Sequence, residues 1–244
     1  MNLRSVFLAV ASASCLTTSA FAKAVGPGEI LAPVEKVFIP NGFDDNDVTE
    51  VLVHGEFPNS CYQVGEGGYV VNKEQKKILV WVKAYKYDSL LCAQVMTPYL
   101  KSIKVGILEK GTYEVRVENA PSILESFEVE ARTVESPDDY LYAPVYGGNI
   151  ETDENGRQFL NLVGTYPHTF WGCLKIKEVK MELGENNVLV VLPIMETLSE
   201  EQCGEDYSHD FNQTYGLPQP MLGKGALHVR SINGESYNRF IHIK

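Results

Sequence analysis

Short runs of alternating apolar and polar residues recur along the chain, with turn-forming residues between them. From Lys77 to Tyr85, Ile78, Val80, Val82 and Ala84 fall on one face, and Leu79, Trp81, Lys83 and Tyr85 on the other. A period of two marks a strand with two distinct faces. The same alternation sets Val51, Val53 and Gly55 against Leu52 and His54, and recurs at Ile103, Val105 and Ile107. Tyr113, Val115 and Val117 follow, and Phe127, Val129 and Ala131 close this half of the chain. No stretch sustains a helical period, so the pattern predicts an all-β protein.

The pattern occurs twice. The turn Phe57-Pro58-Asn59-Ser60 leads into Cys61, Cys92 follows 31 residues later, and a Lys110-Gly111 turn opens the strand Thr112 to Asn119. In the second half Tyr166-Pro167 leads towards Cys173, Cys203 follows after 30 residues, and Lys224-Gly225 opens the strand Ala226 to Asn233. Leu160, Leu162 and Gly164 match Val51, Val53 and Gly55, and Val188 to Ile194 takes the place of Lys77 to Tyr85. Leu227, Val229 and Ser231 match Tyr113, Val115 and Val117, and Phe240 matches Phe127. Several short strands with turn signals at this spacing predict two tandem β-sandwich domains. The expected division is a signal peptide at 1–22, a flexible lead-in at 23–36 and domain one at 37–132. A linker at 133–143 and domain two at 144–244 complete it.

The first residues set the compartment. Arg4, the apolar run Val6 to Leu16 and the small-x-small site Ala20-Phe21-Ala22 read as a secretory signal. The run is too short for a transmembrane helix, and no later segment is long and apolar enough to be one. Export to the periplasm or the extracellular space is therefore expected. Beyond the signal, 20 Lys plus Arg face 32 Asp plus Glu, a formal charge of −12. Nucleic-acid binding, which needs clustered cations, is not expected. Four cysteines remain in this segment, and an even number in an exported chain points to disulfides. They allow three pairings, of which the repeat favours Cys61–Cys92 with Cys173–Cys203.

The two cysteine-closed modules, with Trp81 between Cys61 and Cys92, resemble bacterial exported proteins built from immunoglobulin-like or fibronectin-like β-sandwich modules. Such modules act as binding, spacing or adhesion units, and the resemblance implies no catalytic residues.

The residues themselves offer little chemistry of other kinds. There is no Gly-x-Ser-x-Gly elbow, and the disulfide reading withdraws every thiol, so no catalytic residue is assigned and the protein is not expected to be an enzyme. The five histidines are scattered, without His-Glu-x-x-His or finger spacing; no metal and no cofactor is expected. Asp44-Asp45-Asn46-Asp47 supplies oxygen ligands without the spacing of a calcium-binding hand, and reads as an Asx-rich turn. The copies differ beside Cys173 and Cys203. Gly55 to Cys61 takes six steps and Gly164 to Cys173 nine; Cys92 to Gly111 takes 19 and Cys203 to Gly225 takes 22. Tyr166, His168, Phe170 and Trp171 lie on one side, and Asp206, His209 and Asp210 on the other. Aromatics beside carboxylates on loops suit a sugar ring or a cationic peptide, and these seven form the candidate ligand-binding set. The expected function is non-catalytic binding or scaffolding in the bacterial envelope, with an envelope protein or glycan as partner. The alternatives are an inhibitor or accessory subunit of an exported hydrolase, and an enzyme of unrecognised type.

Overall fold

The chain folds as two tandem β-sandwich domains whose middle sheets dock face to face. The computed structural model describes residues 28–87, 91–169, 172–204 and 207–243. The expected signal peptide and the beginning of the lead-in lie outside the described residues, as do Phe170, Trp171 and Asp206.

In chain order the first sandwich comprises β1 (Glu29–Leu31), β2 (Lys36–Phe38), β3 (Thr49–Phe57) and β4 (Tyr62–Asn72). β5 (Lys77–Lys86), β6 (Thr97–Gly106), β7 (Gly111–Val117) and β8 (Ala120–Val129) complete it. Sheet 1 holds β4, β5, β7 and β8, with β1 and β7 sharing one edge of β5; sheet 2 holds β2, β3 and β6. Part of the expected flexible lead-in is thus ordered: Ile30 pairs with Ala84, and Glu29 forms an ion pair with Lys83.

The second sandwich runs through β9 (Val145–Thr152), β10 (Gln158–Thr165), β11 (Cys173–Leu183) and β12 (Val188–Leu198). It ends with β13 (Asp210–Gly216), β14 (Gly223–Ser231) and β15 (Glu235–Ile243). Sheet 3 holds β11, β12, β14 and β15, and sheet 4 holds β9, β10 and β13. β5–β7 and β12–β14 are both parallel, each over four rungs, so the two copies share one topology. These parallel pairs depart from the wholly antiparallel sheets of immunoglobulin domains.

The rungs also fix the internal alignment. Ile78 stands opposite Val115 and Leu189 opposite Leu227, so Leu227 is the counterpart of Val115 and Val229 that of Val117, and the sequence match of Leu227 with Tyr113 is off by two residues. By the same register Ile241, opposite Gly225, is the counterpart of Phe127, opposite Tyr113. The sequence match of Phe240 with Phe127 is therefore off by one residue. A one-residue slip exchanges the faces of a strand, and Phe240 points away from its own core.

That outward face explains how the domains dock. One apolar core lies between sheets 1 and 2, around Val51, Val53, Ile78, Val80 and Tyr113. Another lies between sheets 3 and 4, around Leu160, Leu162, Leu189, Val191 and Leu227. A third cluster joins the outer face of sheet 2 (Phe38, Leu52, Leu100) to that of sheet 3 (Val188, Val190, Leu192, Ala226, Phe240). Four sheets thus stack in series with three apolar layers between them. β3 is buried at every position from Thr49 to Gly55, because one face serves the first core and the other the seam.

Polar groups rim this seam. Glu50, 1 % exposed, accepts hydrogen bonds from Ser102 Oγ (2.7 Å), Ser236 Oγ (2.7 Å) and Asn238 Nδ2 (2.8 Å). Arg230 donates to Asp47 Oδ2 at 3.0 Å and to the Gly42 carbonyl. Burial raises the Asp47 carboxyl pKa and the Arg230 charge partly opposes this, as expected of an ion pair that fixes one arrangement more than it adds stability. The interdomain segment is held as well. Asn46 donates to the carbonyls of Val134 and Ser136, Asp138 accepts from the Asn233 and Gly234 amides, and Tyr142 is buried.

Both disulfides form as the repeat predicted. Cys61 joins Cys92 with Cα atoms 5.4 Å apart, and Cys173 joins Cys203 at 5.9 Å.

Candidate functional site

The described members of the candidate set, Tyr166, His168, His209 and Asp210, gather at the end of the second sandwich closed by Cys173–Cys203. The β10–β11 and β12–β13 connections meet there, and the Tyr166 amide donates to the His209 carbonyl at 2.7 Å. Beneath them sits an aromatic plug. The Tyr166 ring lies 4.7 Å from Phe211 and 6.3 Å from Tyr207, centroid to centroid. The Ile176 amide donates to Tyr166 Oη (3.2 Å), and Tyr207 Oη donates to the Leu174 carbonyl (3.0 Å). Tyr166 is only 5 % exposed, and burial raises its pKa. It belongs to the second core and supports the loops from below.

Above the plug the site is polar. The imidazoles of exposed His168 and half-buried His209 stand 4.0 Å apart, and Tyr207 meets His209 edge-on at 5.1 Å. Nδ1 of His209 is buried without a hydrogen-bond partner among the described residues. Asp210, exposed at the start of β13, accepts from Thr165 Oγ1 at 2.7 Å across the Thr165–Asp210 rung. The fold therefore brings together Tyr166, His168, His209 and Asp210, with one of the four serving as floor. Phe170, Trp171 and Asp206 belong to the same two connections in sequence. The arrangement suits hydrogen bonding and ring stacking with a ligand laid across the loops.

The strand register revises the lengths of these loops. Gly55 stands opposite Tyr99 and Gly164 opposite Phe211, which makes Tyr99 and Phe211 counterparts. Cys92 to Tyr99 spans seven residues and Cys203 to Phe211 eight, so this connection grows by one residue where the sequence match implied three. The three extra residues between Gly164 and Cys173 remain, and the β10–β11 loop is the principal elaboration of the second copy.

A second cluster was hidden by sequence distance. His54 on β3 is wholly buried at the seam, and Glu35 and Glu56 lie beside it, with one ligand atom from each of the three within 4.8 Å of the others. Lys224 from the second sandwich donates to Glu35 Oε2 and to Glu56 Oε1, both at 2.8 Å. These hydrogen bonds raise the Lys224 pKa, and the one to Glu56 lowers that of its carboxyl. By contrast, the Asp44 to Asp47 run forms no open cluster. Asp44 Oδ1 accepts from the Asn46 amide and Asp47 Oδ2 from the Asp44 amide, while Asp45 Oδ1 accepts from the Arg132 amide. The matching turn at Asp153 caps the Asn155 and Arg157 amides in the same way.

Among known families, the model of the ORF11 beta-sandwich domain matches residues 51–129, which run from β3 through β8 of the first sandwich. No curated protein matches the chain, and no solved structure does. Among the described residues, no helix is long and apolar enough to cross a membrane.

Proposed function

We propose that this is an exported, non-catalytic binding or scaffolding protein of the bacterial envelope that meets its partner through the loop end of the second sandwich. The observation that carries this reading is the pair His168 and His209, presented 4.0 Å apart on loops closed by a disulfide and backed by the Tyr166–Tyr207–Phe211 plug. A rigid floor under polar and aromatic groups lowers the entropy lost on binding. The signal-like N-terminus and the two disulfides fit an oxidising compartment outside the cytoplasm. Glycans and extended cationic peptides both suit rings beside a carboxylate such as Asp210.

The test is capture from envelope fractions under non-reducing conditions. His168→Ala with Asp210→Ala changes exposed side chains and should leave the fold intact while weakening capture at least tenfold; Trp171→Ala should do the same. Recovery of glycan identifies a wall-binding role, and recovery of one polypeptide in fixed ratio identifies an inhibitor or accessory subunit. Undiminished capture by folded variants would remove the loop end from consideration.

A further inference from the structure

The cluster at the seam has the composition of a metal site with a lysine seated in it. His54 Nδ1 lies 2.9 Å from the Tyr99 carbonyl oxygen, which can only accept, so Nδ1 carries the proton. In the neutral ring Nε2 is then a bare lone pair. It is buried without a hydrogen-bond partner among the described residues and lies 3.8 Å from Glu35 Oε2. The ring is held in this pose from both sides. It stacks on Phe240 with centroids 3.9 Å apart and planes 8° from parallel, and Tyr99 is itself anchored through Oη to the Pro33 carbonyl at 2.7 Å. Backbone carbonyls that accept from one imidazole nitrogen commonly orient the other towards a metal.

Glu35 and Glu56 complete the donor set. Their side chains are 41 % and 21 % exposed, so two of the three donors are open to solvent. Lys224 Nζ occupies the cation position between them but makes no hydrogen bond to His54 Nε2. An ion could satisfy all three donors together, whereas the ammonium satisfies two. The Lys224 side chain, 38 % exposed, can swing outward to make room. One imidazole and two carboxylates is a borderline donor set, suited to zinc and its neighbours; calcium and magnesium take oxygen ligands.

We propose that Glu35, His54 and Glu56 form a binding site for a divalent transition-metal cation of the zinc class, in which Lys224 is the internal cation that the metal displaces.

The experiment titrates zinc chloride into the EDTA-stripped full chain by calorimetry, with 15N spectra of the histidine side chains. The expected result is saturable binding of one ion per chain, with the His54 Nε2 resonance shifted on addition of zinc. Lys224→Met should tighten binding at least tenfold by removing the competitor. His54→Gln and, independently, Glu56→Gln should each weaken it at least tenfold; Glu56 is partly exposed, so this second variant guards against a folding defect at His54. A His168→Gln/His209→Gln double variant should bind zinc as the unaltered chain does. The proposal falls if neither the unaltered chain nor Lys224→Met binds zinc saturably. It falls equally if binding survives both His54→Gln and Glu56→Gln, or if calcium binds as tightly as zinc.

Discussion

Single residues carry the clearest memory of the duplication. A Cβ on Gly55 would lie 1.9 Å from the Pro33 carbonyl oxygen and 2.8 Å from the Tyr99 ring, and one on Gly164 would lie 2.1 Å from the Pro144 carbonyl oxygen and 2.2 Å from Phe211. Each glycine lets a preceding segment and an aromatic from the neighbouring strand close over it. Gly164→Ala should therefore destabilise the protein by about 3 kcal/mol, the upper range for overpacking a tight site, read as a lower urea midpoint. The pair Gly55 and Gly164 was legible from sequence because each sits at a fixed offset after two alternating apolar residues. His54 was not legible as part of a cluster. Glu35 lies across the β2–β3 pairing, Lys224 comes from the other domain, and neither spacing is local in the chain.

At the level of the element, the disulfides close equivalent β4–β5 and β11–β12 hairpins and pin the connections that follow. The chain-entropy model gives about 3–4 kcal/mol for a loop of this size. Cys61→Ser/Cys92→Ser should lose stability of that order, measured by thermal unfolding. The alternation in Lys77 to Tyr85 made β5 readable, because Ile78, Val80, Val82 and Ala84 all enter one core while the opposite face meets solvent. β14 and β15 were harder to place. Apolar residues stand on both of their faces, Leu227 and Ile241 towards the core and Ala226 and Phe240 towards the seam, so periodicity could not decide the register.

For the whole molecule, the buried seam makes stability depend on pH. His228 is 1 % exposed, with Nδ1 2.7 Å from Asn238 Oδ1, and burial lowers its pKa from 6.5 to about 4. His54 is shifted in the same direction by burial. A histidine with a depressed native pKa takes up its proton more readily in the unfolded chain, so the folded state loses ground as pH falls below about 6.5, and for His228 the loss is complete near pH 4. The urea midpoint should drop steadily between pH 7 and pH 4.5, and His228→Gln should flatten that slope. The docking was not readable from the chain alone, since apolar residues on both faces of β3, β14 and β15 blur the period of two without saying which sheets they join.

The docking joins unlike faces: a three-stranded sheet of the first copy meets a four-stranded sheet of the second. A head-to-tail contact between repeats has no built-in end, because each terminal unit still presents the face its neighbour used, and open contacts of this kind lead to fibres. The outer faces of the two sandwiches differ from the docked ones at equivalent positions. Where the second copy offers Val188, Ala226 and His228 to the seam, the first carries Lys77, Glu114 and Arg116 on its outward face. Where the first offers Leu52 and Leu100, the second carries Asn161 and Asn212. Charge and amide at these positions make both outer faces poor docking surfaces for another copy, so the contact between the two sandwiches is not repeated by the faces they leave exposed.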